Sequence, residues 1–201
     1  IETIPEAEPG MLYNSVTQEL MEEILFVPAL TQHCYVEWVP RDQGGGFVAV
    51  HSINSEIVAK AKEEASVWNE LRTEKGNELQ ETFYIYGVSC DEAEPTGMAL
   101  VAFTSSKIKQ YKKVITRLNT FLLKGPDGKK QRIGSELEHN PKGKFYNFTI
   151  TQAVDNDVMK SLLSPDDPRF EAGAECKELV ETGAASAAYE TTEQEGEDLP
   201  F

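Results

Sequence analysis

The run Glu22 to Val39, EEILFVPALTQHCYVEWV, constrains this chain more than any other stretch. β-Branched and aromatic residues favour extended backbone, and Gln32 to Trp38 fits a period of two, so the run predicts one long bent strand or two strands joined near Pro28. A strand of that length needs partners. RDQGGG (Arg41 to Gly46) predicts a turn and FVAVHSI (Phe47 to Ile53) the returning strand.

The remaining elements follow from periodicity. MLYNSVT (Met11 to Thr17) predicts a short strand. Ile57, Ala61, Ala65, Trp68 and Leu71 recur at helical spacing behind a cap at Asn54 or Ser55, which predicts an amphipathic helix. ETFYIYGVSC (Glu81 to Cys90) and GMALVAFTS (Gly97 to Ser105) predict a hairpin pair, and Ser106 to Leu123 a second helix with Ile108, Tyr111, Ile115, Leu118 and Leu122 as its apolar stripe. KGPDGKKQR predicts a turn or loop, and KFYNFTITQ (Lys144 to Gln152) a last strand. The expected fold is therefore a β-rich α+β domain over residues 11–165. Its form is an OB-like five-stranded barrel with a helix after the third strand, an added basic helix and an added strand. Residues 1–10 are a lead-in, and periodicity fades after Pro168, so residues 166–201 are expected to form a flexible acidic tail.

At 201 residues, one domain with extensions is the natural reading. Ile1 at the start points to a processed or partial chain. No basic-then-apolar leader and no long apolar run is visible, which predicts an intracellular protein. Three widely spaced cysteines, Cys34, Cys90 and Cys176, fit buried thiols in a reducing compartment better than a disulfide framework.

A net charge of −15 argues against nucleic-acid binding, but the charges are sorted along the chain. From Lys107 to Lys144, eleven basic residues face three acidic ones, a local balance of +8. From Glu171 onward, nine acidic residues face one lysine, a balance of −8.

Catalytic patterns are not found. GGG at Gly44 to Gly46 lacks the Lys-Ser or Lys-Thr of a phosphate loop and precedes a strand. His33, Cys34, His51, Cys90 and His139 have no zinc-site spacing. No nucleophile elbow occurs, and the carboxylates of SPDDP (Ser164 to Pro168) sit in a proline turn. The expectation is a non-enzyme with no cofactor and no metal.

Binding single-stranded nucleic acid needs cations that track phosphates and flat rings on which unstacked bases lie. The basic segment offers Lys109, Lys113, Arg117, Lys129, Lys130, Arg132, Lys142 and Lys144 for the phosphates. Tyr35, Trp38, Tyr84, Tyr86 and Tyr146 are the stacking candidates, with Phe83 and Ile85 expected to face inward. Most strand aromatics serve a core, so this assignment competes with simple packing.

The C-terminus weighs in favour of DNA. Glu197, Asp198, Leu199, Pro200 and Phe201 resemble the acidic tip of bacterial single-stranded-DNA-binding proteins, which ends Asp-Asp-Asp-Ile-Pro-Phe. That resemblance implies a partner-binding tip whose terminal Phe docks on replication and repair enzymes. PGMLYNSVTQE, VPALTQHCYVEWVPR and GMALVAFTSSKIKQYKKVITRLN are similar to tailed-bacteriophage single-stranded-DNA-binding proteins. This implies sequence-independent binding and protection of single-stranded DNA during phage replication or recombination, in the cytoplasm of the infected host. A possible homo-oligomer and replication or recombination proteins are the expected partners, with no membrane role. The competing reading is a non-catalytic phage interaction or virion protein that does not bind DNA.

Overall fold

The computed structural model describes residues 4, 6–67, 70–119, 128–141 and 143–186. Its elements in chain order are β1 (Leu12–Tyr13), β2 (Leu20–Met21), β3 (Ile24–Trp38), β4 (Phe47–Ser52), α1 (Glu56–Glu64), β5 (Leu71–Arg72), β6 (Glu78–Cys90), β7 (Pro95–Thr104), α2 (Ile108–Leu118), β8 (Gln131–Asn140), β9 (Gly143–Gln152) and α3 (Pro168–Glu181). The described residues are thus β-rich, with antiparallel strand pairs and three α-helices. Two compact units are present. One holds the residues up to Gln32 and Phe83–Ser186, the other His33–Thr82; β3 and β6 are long enough to serve both.

In the larger unit the hydrogen-bonded path runs β7-β6-β3-β8-β9. Laid flat, five strands would separate β7 from β9 by about 19 Å. Instead, the rings of Phe103 on β7 and Phe148 on β9 meet edge to face at 5.5 Å between centroids. The sheet therefore curls, and α2 lies against both end strands. Phe26, Phe83, Ile85, Phe103, Ile133 and Ile150 from the strands, with Tyr111, Val114 and Leu118 from α2, form the core inside the curl. Burial of these apolar groups at roughly 25 cal/mol per Å² is what holds the curled sheet on its helix. At Gly87 the backbones of β6 and β3 approach so closely that a Cβ would come 2.2 Å from the Val27 carbonyl oxygen, so only glycine fits.

The smaller unit pairs β4 with the second half of β3 and β5 with the first half of β6. Tyr35, Val58, Ala61, Leu71 and Leu79 form its core. Ser55 starts α1 as expected, its hydroxyl accepting from the Val58 amide at 3.3 Å. The helix is shorter than its apolar spacing predicts. Ala65 adopts extended backbone, Leu71 belongs to β5, and the inward residues are Val58 and Ala61, leaving Ile57 exposed.

Besides the two-residue strands β2 and β5, two longer elements were not foreseen. β8 carries only two apolar residues among glycine and acidic groups, and it forms because it pairs with β9 in continuous register from Gln131↔Gln152 to Asn140↔Gly143. α3 occupies part of what was expected to be flexible tail. Asp167 caps it by accepting the Arg169 amide at 2.9 Å, Pro168 sits at its first position, and its buried residues are Arg169, Gly173 and Cys176. Arg, Gly and Cys at helical spacing make a packed stripe that hydropathy does not mark as apolar.

The expected barrel therefore needs correction in its parts. No hydrogen-bonded pair joins β7 to β9 on the described path, and the helix packed on the curled sheet is the basic α2, not α1.

Candidate nucleic-acid interface

α2 begins without an acidic residue in its first turn and without a side-chain cap on its Lys107 N-terminus. Lys109, Lys112 and Lys113 are exposed along its first two turns. A helix N-terminus carries about half a positive charge, so these lysines stand against the macrodipole, where an anion would be welcome. Lys107 is drawn aside, its ammonium 5.0 Å over the Phe148 ring.

The β8–β9 hairpin lies beside this helix end. Gln110 Nε2 donates to Glu138 Oε1 at 2.9 Å, and Asn147 Nδ2 donates to Glu138 Oε2 at 3.1 Å, so one carboxylate ties α2 to both hairpin strands. Glu138 pairs in register with Phe145, and the next pair toward the turn is His139 with Lys144. Lys109 is thus next to the bonded Gln110, and Lys144 is next to Phe145, the register partner of Glu138. Two residues along, Tyr146 stands opposite Leu137, and the two side chains are 42% and 45% exposed. Gly10 braces one side of the Tyr146 ring: its carbonyl accepts from the Ser135 hydroxyl, and a Cβ at Gly10 would fall 2.6 Å from the ring. The hairpin thus carries Lys144 and the supported, half-exposed ring on one face, and through Glu138 on its other face it meets the first turn of α2, where Lys109 stands.

The other candidates divide. Arg117 is half-buried, donating to the Ile150 carbonyl at 3.0 Å. Lys129 is 2% exposed with its ammonium on the Leu118 carbonyl, and Lys130 is buried, so both serve the interior and not a phosphate. Arg132 pairs with Glu23. Lys142 and the tip from Glu197 to Phe201 lie outside the described residues.

Three of the five rings expected to stack are buried. Tyr35 packs in the smaller unit's core beneath Lys62, whose ammonium is 4.9 Å from the ring centroid. Trp38, half-buried in the same unit, packs edge to face on Phe47 at 6.0 Å. Tyr84 is 1% and Tyr86 6% exposed. Their side of β6 is the one opposite Phe83 and Ile85, as expected, but that side is not open. On neighbouring β3, Phe26 faces the core and Val27 faces away, and Gly173 of α3 packs over Val27 while the Cys176 thiol reaches the Gly87 carbonyl at 3.5 Å. The unforeseen helix thus packs at Val27 and Gly87 on the same sheet face as the buried tyrosines. Tyr86 donates to Gln32 at 2.9 Å, and the Tyr84 hydroxyl has no hydrogen-bond partner among the described residues.

Two exposed residues were overlooked. Lys112 follows Lys109 by three positions, a spacing that puts it on the same helix face. Tyr13 is 44% exposed, and its alternation with the inward Leu12 was readable in MLYN.

A family model described as Pam3 phage gp34-like protein matches residues 2–186. The chain belongs to this family. It is accordingly a bacteriophage protein, and the gp34-like match covers both units, α2, the β8–β9 hairpin and α3. The acidic tip lies beyond the matched residues. Neither a curated protein nor a solved structure matches the chain. Among the described residues of this gp34-like chain, no helix is long and apolar enough to cross a membrane.

Proposed function

We propose that this phage protein binds single-stranded DNA without sequence preference and without catalysis, holding it during DNA replication or recombination in the infected cell. The observation that supports this reading best is the half-exposed Tyr146 beside Lys144, with the α2 lysines tied to the same hairpin through Glu138. Bases stack on the ring while phosphates follow the ammonium groups.

The strand order supports an OB-like arrangement. Taking β3, β6, β7, β8 and β9 as the first to fifth strands, the path β7-β6-β3-β8-β9 reads 3-2-1-4-5, with α2 between the third and fourth. That is the order of an OB barrel, whose connections between strands one and two and strands four and five bind oligonucleotides. In this reading the fourth-to-fifth connection is the hairpin carrying Lys144 and Tyr146, and the first-to-second connection has grown into the β4-α1-β5 unit.

The test is fluorescence anisotropy of labelled poly-dT titrated with the full chain, with duplex DNA as control. With Lys109, Lys112, Lys113 and Lys144 on phosphates at ~0.7 each, the log-log salt slope is expected near about −3. Affinity that does not change with salt, or that is equal for duplex, rejects the reading in favour of an interaction protein that leaves DNA alone. Cleavage of the labelled DNA with magnesium present would mark an enzyme instead.

The acidic tip supports a second part of the proposal, recruitment of replication or recombination proteins. Deleting Leu199 to Phe201 is expected to leave poly-dT affinity unchanged or raised while abolishing co-migration with such partners on a sizing column. A loss of DNA binding on deletion would make the tip part of the DNA site.

A further inference from the structure

The residues leading into β1 form a built turn. Glu8-Pro9-Gly10-Met11 closes through the Met11 amide, which donates to the Glu8 carbonyl at 3.1 Å, and Gly10 has a φ of +101°. Proline at the second position and a positive φ at the third are what a type II turn requires, so this stretch sets its own geometry. Leu12, just beyond it, packs on the larger unit's core and anchors the chain there.

The turn lies on the ring assigned to base stacking. A Cβ at Gly10 would fall 2.6 Å from Cε1 and 2.8 Å from Cδ1 of Tyr146, and the Gly10 carbonyl accepts from the Ser135 hydroxyl. Ser135 is two residues from Leu137, the register partner of Tyr146, so hook and ring share one face of the β8–β9 hairpin. Backbone packed this closely takes space on one side of the ring that a stacked base would need.

The charge of the segment is also that of nucleic acid. Glu6 and Glu8 are exposed, and no lysine or arginine occurs before Arg41. Glu8 is two residues from Gly10, so its carboxylate stands on the order of 10 Å from the ring, comparable to the Debye length of about 8 Å at physiological salt. Something packed on the ring and a negative charge close by are two features of a bound nucleotide.

We infer that the Glu8–Met11 turn is an autoinhibitory cover: in the free protein it occupies one side of Tyr146, and single-stranded DNA displaces it. This rests on the DNA reading and adds regulation to the same site. The apparent affinity is lowered by the fraction of molecules in which the turn is docked. A single side-chain hook holds it, so a strand can lift it while Leu12 keeps the chain in place.

The experiment is anisotropy of labelled oligo-dT titrated with the full chain and its variants. Ser135→Ala removes the hook and should tighten binding about twofold to tenfold, the worth of one hydrogen bond. Gly10→Ala should act in the same direction, because alanine is strained at this φ and its Cβ meets the ring. Ser135→Ala decides, since Gly10→Ala also pushes on Tyr146. Glu6→Gln with Glu8→Gln should give a smaller gain that shrinks as salt rises. NMR of the labelled chain supplies a second readout: on addition of oligo-dT, the Gly10 and Met11 amides should move to the positions they take in Ser135→Ala without DNA. A parent that binds oligo-dT as tightly as Ser135→Ala, or more tightly, would overturn the inference and leave the DNA reading standing. Absence of binding by the parent and by both undocked variants would overturn the two together.

Discussion

Tyr146→Ala is expected to weaken poly-dT binding by about 1–3 kcal/mol, the measured range for one base-aromatic stack, which is roughly fivefold to 150-fold in affinity. The expectation rests on position. Of the five rings proposed from sequence, Tyr146 is the one placed as exposed and on the same strand face as an exposed cation, Lys144. Tyr146→Phe keeps the ring and should bind within about twofold of the unaltered chain, whereas Tyr84→Phe, changing a buried hydroxyl, should leave DNA binding untouched. Because Gly10 packs on the Tyr146 ring, the alanine variant also needs a denaturation curve, so that lost affinity is not lost folding. Anisotropy titrations of the three variants decide the matter. If Tyr146→Ala binds as tightly as the parent at matched salt, the interface is elsewhere or absent.

The second large effect concerns the curl itself. Phe103→Ala is expected to destabilise the larger unit by about 3–5 kcal/mol, the usual cost of truncating a buried phenylalanine. Phe103 is fully buried, and its ring meets Phe148 at 5.5 Å and Tyr111 at 5.6 Å, so it joins both ends of the strand path to the helix lying across them. Cavity and transfer costs both apply there, because neither the sheet nor α2 can collapse inward without losing the other's contacts. Urea unfolding monitored by circular dichroism measures it. A loss under about 1 kcal/mol would mean that Phe103 does not hold the two ends together. Such a loss of stability would also loosen the Gln110–Glu138 tie, so DNA affinity should be measured well below the midpoint.

Local chemistry was legible wherever a few neighbouring residues decide the backbone. The Arg41 to Gly46 turn, the Ser55 cap, the stripe of α2 and the period-two strands on either side of these signals are found close to where they were expected. β8 was illegible because its residues favour nothing in particular and its extended form is imposed by β9. α3 was illegible because its buried stripe is Arg169, Gly173 and Cys176, held by an acidic cap and close backbone packing instead of large apolar groups.

The candidate site shows the same division. Sequence charge located the basic segment, but could not tell the exposed Lys109 and Lys144 from Lys129, whose ammonium is taken by the Leu118 carbonyl. Charge is a property of composition; access to a phosphate depends on which carbonyls fold back within reach.

By itself, then, the order of amino acids determined the strands β3, β4, β6, β7 and β9, the presence of α1 and α2, the inward side of β6 and the opposite charges of the basic and acidic segments. Only tertiary structure decided which outward rings meet solvent. Alternation along a strand says which way a side chain points, not what packs above it: Tyr84 and Tyr86 are buried on the face where α3 packs on Val27, while Tyr146 on the hairpin stays half-exposed.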